Sequence, residues 1–135
     1  MKKLVKIKKL YVLLLLPLIV ATQCEDDDIN SGFETEYIIQ NDSSIDLILF
    51  SESNMQFPID SQSNLVVGSN LNQITEPILP TESFVFNNIK LYKMVDDNFI
   101  LAYGQDPIDD NLWVFNEPSE NRYVYKLIIT DNSLD

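Results

Sequence analysis

Histidine is absent from this 135-residue chain, cysteine occurs once and glycine occurs three times. Without histidine, the commonest general base and metal ligand is missing, and three scattered glycines do not supply a loop that cradles phosphate. The single cysteine, Cys24, cannot close a disulfide within the chain. These absences remove most catalytic classes, so we expect no enzymatic activity and no cofactor.

Basic residues are scarce beyond the first ten positions. Five of the nine lie there, the other four are Lys90, Lys93, Arg122 and Lys126, and all 21 acids follow Cys24. From Cys24 onward, 4 basic and 21 acidic residues give a formal charge of −17. Such a surface repels nucleic acid, so we exclude a nucleic-acid partner. Carboxylate pairs are so common among 21 acids that they do not indicate a glycosidase.

Long apolar runs are confined to the N-terminus. MKKLVKIKKL carries five lysines and no acid, and the apolar stretch from Leu10 to Ala21 has 12 residues, including Pro17. A basic segment followed by about 7–15 apolar residues is typical of a secretory signal. A membrane span needs about 20 apolar residues. We therefore predict a signal peptide over residues 1–23.

The residues before Cys24 indicate the class of this signal peptide. Val20, Ala21 and Thr22 form a short run of apolar and small residues, and Gln23 separates them from Cys24. The segment resembles a bacterial lipoprotein signal peptide, in which the residue before the cysteine is usually Gly, Ala or Ser. The resemblance implies cleavage before Cys24 and attachment of several acyl chains, which are sufficient for stable anchoring. Two alternatives stay open: an ordinary signal peptide with an unmodified cysteine, and an uncut signal anchor.

Four acids follow the cysteine directly: Glu25, Asp26, Asp27 and Asp28. The run resembles the export signal of surface lipoproteins in Bacteroidota, which implies an outer-membrane protein displayed on the cell surface. In a proteobacterium the same acids would imply retention in the inner membrane. A third interpretation is a plain solvated tether, because like charges repel and keep a chain open. The predicted organisation is a signal peptide (1–23), an acidic tether (24–32) and one domain (33–135).

The domain shows the two-residue periodicity of half-buried β-strands. Three segments alternate most clearly, and their predicted core residues are Phe33, Thr35, Tyr37 and Ile39, then Ile45, Leu47 and Leu49, and finally Tyr123, Tyr125, Leu127 and Ile129. The outward positions include the apolar residues Ile48, Phe50, Val124 and Ile128. The turn-forming NDSS, residues 41–44, predicts that the first two segments pair as a hairpin.

Shorter strand candidates fill the middle of the domain: Met55–Phe57, Asn64–Val67, Ser83–Phe86, Ile89–Met94, Phe99–Tyr103 and Leu112–Phe115. Turn signals such as Gly68-Ser69-Asn70 separate them at roughly 8–12 residues, which is typical of an all-β sandwich. The two prolines of TEPILPTE, residues 75–82, favour an edge strand or a crossover connection. We therefore predict an antiparallel β-sandwich of seven to nine strands, immunoglobulin-like in outline. The tyrosine-rich final segment and the acidic run together resemble small surface lipoproteins common in Bacteroidota.

Two local patterns suggest ligand contacts. Asp106, Asp109 and Asp110 are clustered oxygen donors of the kind that Ca²⁺ binds, although Asp and Asn are also the residues that β-turns favour. Trp113 follows this acidic segment and is a candidate contact residue for a protein or glycan, or a core residue. No catalytic residue is assigned.

The predicted function is that of a lipid-anchored, non-enzymatic binding or accessory module of the cell envelope, located at the outer membrane. Its partners would be the membrane, through the lipid, and a protein or a glycan. The alternative is a structural subunit of a larger outer-membrane or periplasmic complex. A subunit would expose an apolar patch or an unpaired edge strand.

Overall fold

A computed structural model describes residues 32–72 and 75–135 of the protein. The predicted signal peptide, Cys24 and the acidic run from Glu25 to Asp28 lie outside the described residues. Within the described residues the secondary structure consists of eight β-strands and three short 3₁₀ turns, with no α-helix. The residues Gly32–Asp135 form one compact unit.

The eight strands form two four-stranded sheets. Sheet A contains β1 (Phe33–Asn41), β4 (Ser63–Asn72), β7 (Trp113–Ser119) and β8 (Arg122–Ile129), in the order β4-β1-β8-β7. Sheet B contains β2 (Leu47–Phe50), β3 (Gln56–Ile59), β5 (Ile89–Val95) and β6 (Asn98–Gln105), in the order β3-β2-β5-β6. The predicted all-β, sandwich-like fold is confirmed.

One strand pair departs from the antiparallel arrangement that the sequence predicted. β1 and β8 run parallel, with Thr35 opposite Tyr123 and Ile39 opposite Leu127. A parallel pair needs a long crossover connection, and here most of the domain lies between the two strands. The prediction of a purely antiparallel sandwich is therefore wrong at this pair.

The core lies between the two sheets and follows the predicted alternation. In sheet A, Tyr37 and Ile39 are fully buried and Tyr125 is 6% exposed, while in sheet B Leu47 and Leu91 are fully buried. A cluster of aromatic rings joins them: Tyr37 meets Phe86 edge to face at a centroid distance of 5.2 Å, and Phe86 stacks on Trp113 at 5.4 Å. Since aromatic side chains bury large areas, this cluster contributes much of the burial that stabilises the fold.

The predicted hairpin between the first two strands is wrong. β1 pairs with β4 and β8, whereas β2 pairs with β3 and β5 in the other sheet. The short connection between them turns a corner, where the buried Asn41 side chain donates to the carbonyl oxygens of Ile45, Ile59 and Asp60. The strands on either side of a hairpin and of a corner both alternate apolar and polar residues, so this pattern does not distinguish the two connections.

Residues 75–88 connect sheet A to sheet B, so of the two alternatives predicted for residues 75–82 the structure shows the crossover connection. The connection includes the 3₁₀ turn Pro80–Glu82. The predicted strand Ser83–Phe86 is wrong, because these residues belong to the connection and the next strand begins at Ile89. Val85 lies so close to β4 that a Cβ on Gly68 would be 2.7 Å from its Cγ1. The predicted turn at Gly68-Ser69-Asn70 is therefore wrong: this glycine lies within a strand and admits a close neighbour.

Candidate functional site

A pocket of about 380 Å³ lies where the pairing of β2 with β5 in sheet B ends, and β4 of sheet A also lines it. β2 and β5 pair through only two residue pairs, Ile48 with Tyr92 and Leu49 with Leu91. Beyond these pairs, residues of both strands line the pocket. Residues of β3, of β4 and of the segment 85–88 form the rest of its lining. The early end of one strand pairing therefore opens the cavity.

The pocket has apolar walls and a polar mouth. Its walls contain the buried residues Leu49, Phe86 and Ile89, while the exposed polar residues of its lining are Glu52, Asn54, Asn87 and Asn88. The Nδ2 of Asn87 donates to Glu52 Oε1 at 2.9 Å and links two parts of the mouth. Ligand sites typically have volumes of about 300–1,000 Å³, mostly apolar walls and a few polar groups.

A second candidate surface lies on the side of sheet B that faces away from sheet A. We call it the outer face of sheet B and define it by Ile48, Phe50, Tyr92, Met94, Phe99 and Leu101, which the strand register places on one side. The Phe50 ring meets Tyr92 and Phe99 edge to face, with centroid distances of 5.2 and 5.1 Å. This continuous apolar surface adjoins the pocket, whose lining includes Phe50 and Tyr92.

The outer face of sheet A carries the other two apolar residues that were predicted to point outward. Val124 is half-buried and Ile128 is 38% exposed. Their neighbours on this face include Glu36 and Lys126, so charged side chains interrupt the apolar surface.

The three predicted calcium ligands have separate partners in the structure. Asp106 lies 3.4 Å from Lys90, Asp109 caps a 3₁₀ turn by accepting from the Asn111 amide, and Asp110 accepts from the amide and hydroxyl of Thr81. Within residues 32–72 and 75–135, no three His, Cys, Asp or Glu side chains form a group that could hold a metal ion. Asp109 and Asp110 therefore bond to residues of 3₁₀ turns, and Asp106 forms an exposed ion pair.

Trp113 lies in the core, so of its two predicted roles the structure shows the structural one. Its side chain is 5% exposed and stacks on Phe86. The indole Nε1 donates to Gln105 Oε1 at 3.2 Å. A buried tryptophan needs such a partner for its N–H, and Gln105, itself 4% exposed, supplies it.

Among the described residues, the titratable groups with shifted pKa values lie in the core or at a corner of the fold. Burial raises the pKa of Tyr37, of Tyr103 and of Tyr125 above the ordinary tyrosine value. Hydrogen bonds from the Ser44 amide, and then from its hydroxyl, lower the pKa of Asp131. These groups belong to the scaffold and not to the pocket lining.

Sequence patterns did not reveal the pocket. Its lining combines residues 49–57, 65–67 and 85–92, which are distant in the chain. The one local signal was the outward-facing Phe50 next to the polar segment Ser51–Asn54. An apolar residue at a strand end beside polar residues is too common to indicate a cavity.

The chain was compared with protein-family models, curated proteins and solved structures, and none of them matches it. Among the described residues, no helix has both the length and the apolar character needed to cross a membrane.

Proposed function

We propose that this protein is a non-enzymatic binding or accessory module of the cell envelope, tethered to the outer membrane by lipid on Cys24 and displayed on the cell surface. The observation that carries the binding role is the pocket with apolar walls and an amide-rich mouth. Its ligand would combine an apolar group, which fills the cavity, with polar groups that hydrogen-bond at the mouth. An aromatic side chain of a partner protein or an amphipathic glycan derivative has this chemistry.

The charged side chains of the pocket support binding over catalysis. Glu52 accepts a hydrogen bond from Asn87, and Lys90 pairs with Asp106. A general acid or base needs a proton-transfer group within reach of the substrate. Here Glu52 bonds to Asn87 at the mouth, and Lys90 pairs with Asp106, which lies outside the pocket lining.

The signal peptide, the lipid on Cys24 and the export role of Glu25–Asp28 belong to the same proposal. They rest on the resemblance of residues 1–28 to surface lipoproteins. The immunoglobulin-like outline is also proposed, and the two facing four-stranded sheets support it. The formal charge of −17 from Cys24 onward argues against a nucleic-acid partner.

A structural subunit of a larger envelope complex is the second candidate function. The outer face of sheet B favours it, because Met94, Phe99 and Leu101 there are 52%, 41% and 46% exposed. Contiguous apolar surface on a folded domain is typical of an interface with another protein.

Two valines provide a matched test of the pocket. Val66 and Val114 lie on edge strands of sheet A and are 54% and 53% exposed, but only Val66 lines the pocket. We expect Val66→Trp to abolish saturation transfer from the protein to the ring of N-acetyltryptophanamide in NMR, because the new indole fills the cavity. Val114→Trp should leave the transfer unchanged. Equal signals from the two variants, both measured in the same nonionic detergent, would contradict ligand binding in this pocket.

Cys24→Ala tests the tether in the native host. We expect the wild-type protein in the membrane fraction and cleaved when intact cells are treated with a non-permeant protease. Cys24→Ala should leave the membrane fraction, because a lipid anchor contributes about 0.8 kcal/mol per buried methylene and the variant has none. Retention of this variant in the membrane would refute the lipid anchor.

Neutralising Glu25–Asp28 to the corresponding amides tests the export role. This variant should stay in the membrane fraction but become resistant to the external protease. A control that neutralises Asp96, Asp97, Glu117 and Glu120 removes the same charge from the domain and should stay accessible. Accessibility of both variants would show that the run from Glu25 to Asp28 is only a tether.

A further inference from the structure

Edge strands of a sheet present unpaired backbone groups, and two of the four edge strands here contain proline, which discourages pairing. The edge strands are β4 and β7 in sheet A, and β3 and β6 in sheet B. β3 contains Pro58, and β7 contains Glu117 and Pro118. The other two edge strands, β4 (SNLVVGSNLN) and β6 (NFILAYGQ), contain neither proline nor charge, and β6 is the one that borders the apolar outer face of sheet B.

The backbone of β6 has free hydrogen-bonding groups along its first half. The β5–β6 turn has φ values of 49° at Asp96 and 61° at Asp97, as in a two-residue type I′ hairpin. Antiparallel alternation then points the N–H and C=O of Phe99, and again of Leu101, away from β5. In the second half, Asp135 N donates to Ala102 O at 3.0 Å, so the C-terminal residue meets the strand there.

The side chains beside this open edge are apolar. Phe99 and Leu101 both lie on the outer face of sheet B, where Phe99 contacts Phe50. An added strand would place alternate side chains on the same surface. The edge and the face therefore form one continuous site.

Acids flank β6 at both ends, with Asp96 and Asp97 directly before it and Asp106 directly after it, and three more acids flank the other strands of sheet B: Asp46, Glu52 and Asp60. The two lysines of sheet B are engaged within the chain, since Lys90 pairs with Asp106 and Lys93 Nζ donates to Asp135 O at 2.6 Å. A second copy of the protein would bring acids against acids. A partner with basic residues at its margins would complement them.

We propose that the open edge of β6 binds an extended segment of a partner protein, whose alternate side chains are apolar and whose flanks are basic. The segment adds to sheet B as a fifth strand, with main-chain hydrogen bonds at Phe99 and Leu101 and apolar contacts on the outer face of sheet B. This mode gives affinity through the backbone and specificity through side chains. The inference rests on the proposed function in one respect, that the module binds a partner. It does not depend on ligand binding in the pocket, because the pocket lining contains no residue of β6.

A fluorescent peptide of alternating valine and threonine, with two lysines at each end, is the probe. Its binding to the full-length protein in nonionic detergent is measured by anisotropy at low and high salt. We expect saturable binding that weakens with salt, and at least a tenfold loss of affinity for Leu101→Lys. The matched control Val114→Lys adds the same charge to β7, another edge strand, at a residue 53% exposed, and should change affinity less than twofold.

Further probes separate the alternatives. A peptide with glutamate in place of lysine should not bind, and N-methylation of alternate peptide amides should abolish binding because it removes the strand hydrogen bonds. Equal binding to Leu101→Lys and wild type would overturn the proposal, as would equal binding of the glutamate peptide. The proposal would also be overturned if sedimentation showed that the wild-type protein is a dimer and that Leu101→Lys is a monomer. The edge of β6 would then bind a second copy of this protein. Val66→Trp should bind the peptide normally, so failure of the pocket and failure of the edge are distinguishable.

Discussion

Replacement of Trp113 with alanine is expected to lower the free energy of unfolding by about 3–5 kcal/mol, the usual effect of truncating a buried large aromatic side chain. The indole is 5% exposed and stacks on Phe86, so its removal leaves a cavity within the aromatic cluster. It also leaves the Gln105 Oε1 acceptor without its indole partner. Small domains have a total stability of about 5–15 kcal/mol, so the variant should be close to unfolded on mild heating.

Urea unfolding followed by far-ultraviolet circular dichroism measures this effect, because the variant has lost the chain's one tryptophan. Trp113→Phe keeps a ring and loses the hydrogen bond, so we expect a smaller loss, of about 1–2 kcal/mol. Phe84→Ala removes an aromatic side chain that is 93% exposed, and should change stability by less than about 0.5 kcal/mol. A similar loss for Phe84→Ala and Trp113→Ala would contradict the assignment of Trp113 to the core.

Asn41→Asp is expected to have a comparable effect at neutral pH, a loss of about 3–5 kcal/mol, as for an uncompensated buried charge. Asn41 is fully buried, and its Nδ2 donates to three carbonyl oxygens, those of Ile45, Ile59 and Asp60. An ionised aspartate has no proton to donate and would face these three acceptors. The substitution therefore breaks the corner that sends β2 into the opposite sheet.

The effect of Asn41→Asp should depend on pH. Burial and the facing carbonyl oxygens raise the pKa of the introduced carboxyl in the folded state above the value of about 3.9 for an unfolded chain. The folded state then binds the proton more tightly, so the stability of the variant falls as pH rises above about 4. Urea unfolding at pH 4 and pH 7 measures this effect. The free energy of unfolding of the variant should fall further below that of wild type at pH 7 than at pH 4.

Asn64→Asp is the matched control for this substitution. Asn64 lies on β4 and is exposed, so the same chemical change adds a charge that water solvates. The control should differ from wild type by less than about 0.5 kcal/mol at both pH values. If Asn41→Asp lowered the free energy of unfolding by the same amount at pH 4 and pH 7, the new carboxyl would be solvated. That result would contradict the burial of residue 41.

Much of the fold could be predicted because burial on one face leaves a direct pattern in a strand. Tyr37 and Ile39 in β1, and Tyr125 and Leu127 in β8, are core residues as the two-residue period indicated. The exclusion of residues 75–82 from a sheet interior was also predictable, because proline lacks the N–H that a central strand requires. Each of these conclusions depends on properties of neighbouring residues alone.

The partners of each strand could not be predicted in the same way. The alternation in β1 and β2 is compatible with a hairpin, yet the strands lie in different sheets. The contacts that decide this, from Asn41 to Ile59 and Asp60, join residues 18 and 19 positions apart. The assignment of Trp113 to the core likewise depended on Phe86 and Gln105, which no local pattern brings beside it.

By itself, the amino-acid sequence determined which residues seek burial, the β class of the domain and its acidic character, because side-chain polarity and backbone preference are local properties. Only the tertiary structure decided that β1 and β8 run parallel, that the pairing of β2 with β5 ends early and leaves a pocket, and that the first half of β6 is an open edge. These features arise from packing and hydrogen bonds between residues far apart in the chain. Such long-range contacts depend on how whole surfaces fit together, and a two-residue period carries no information about that fit.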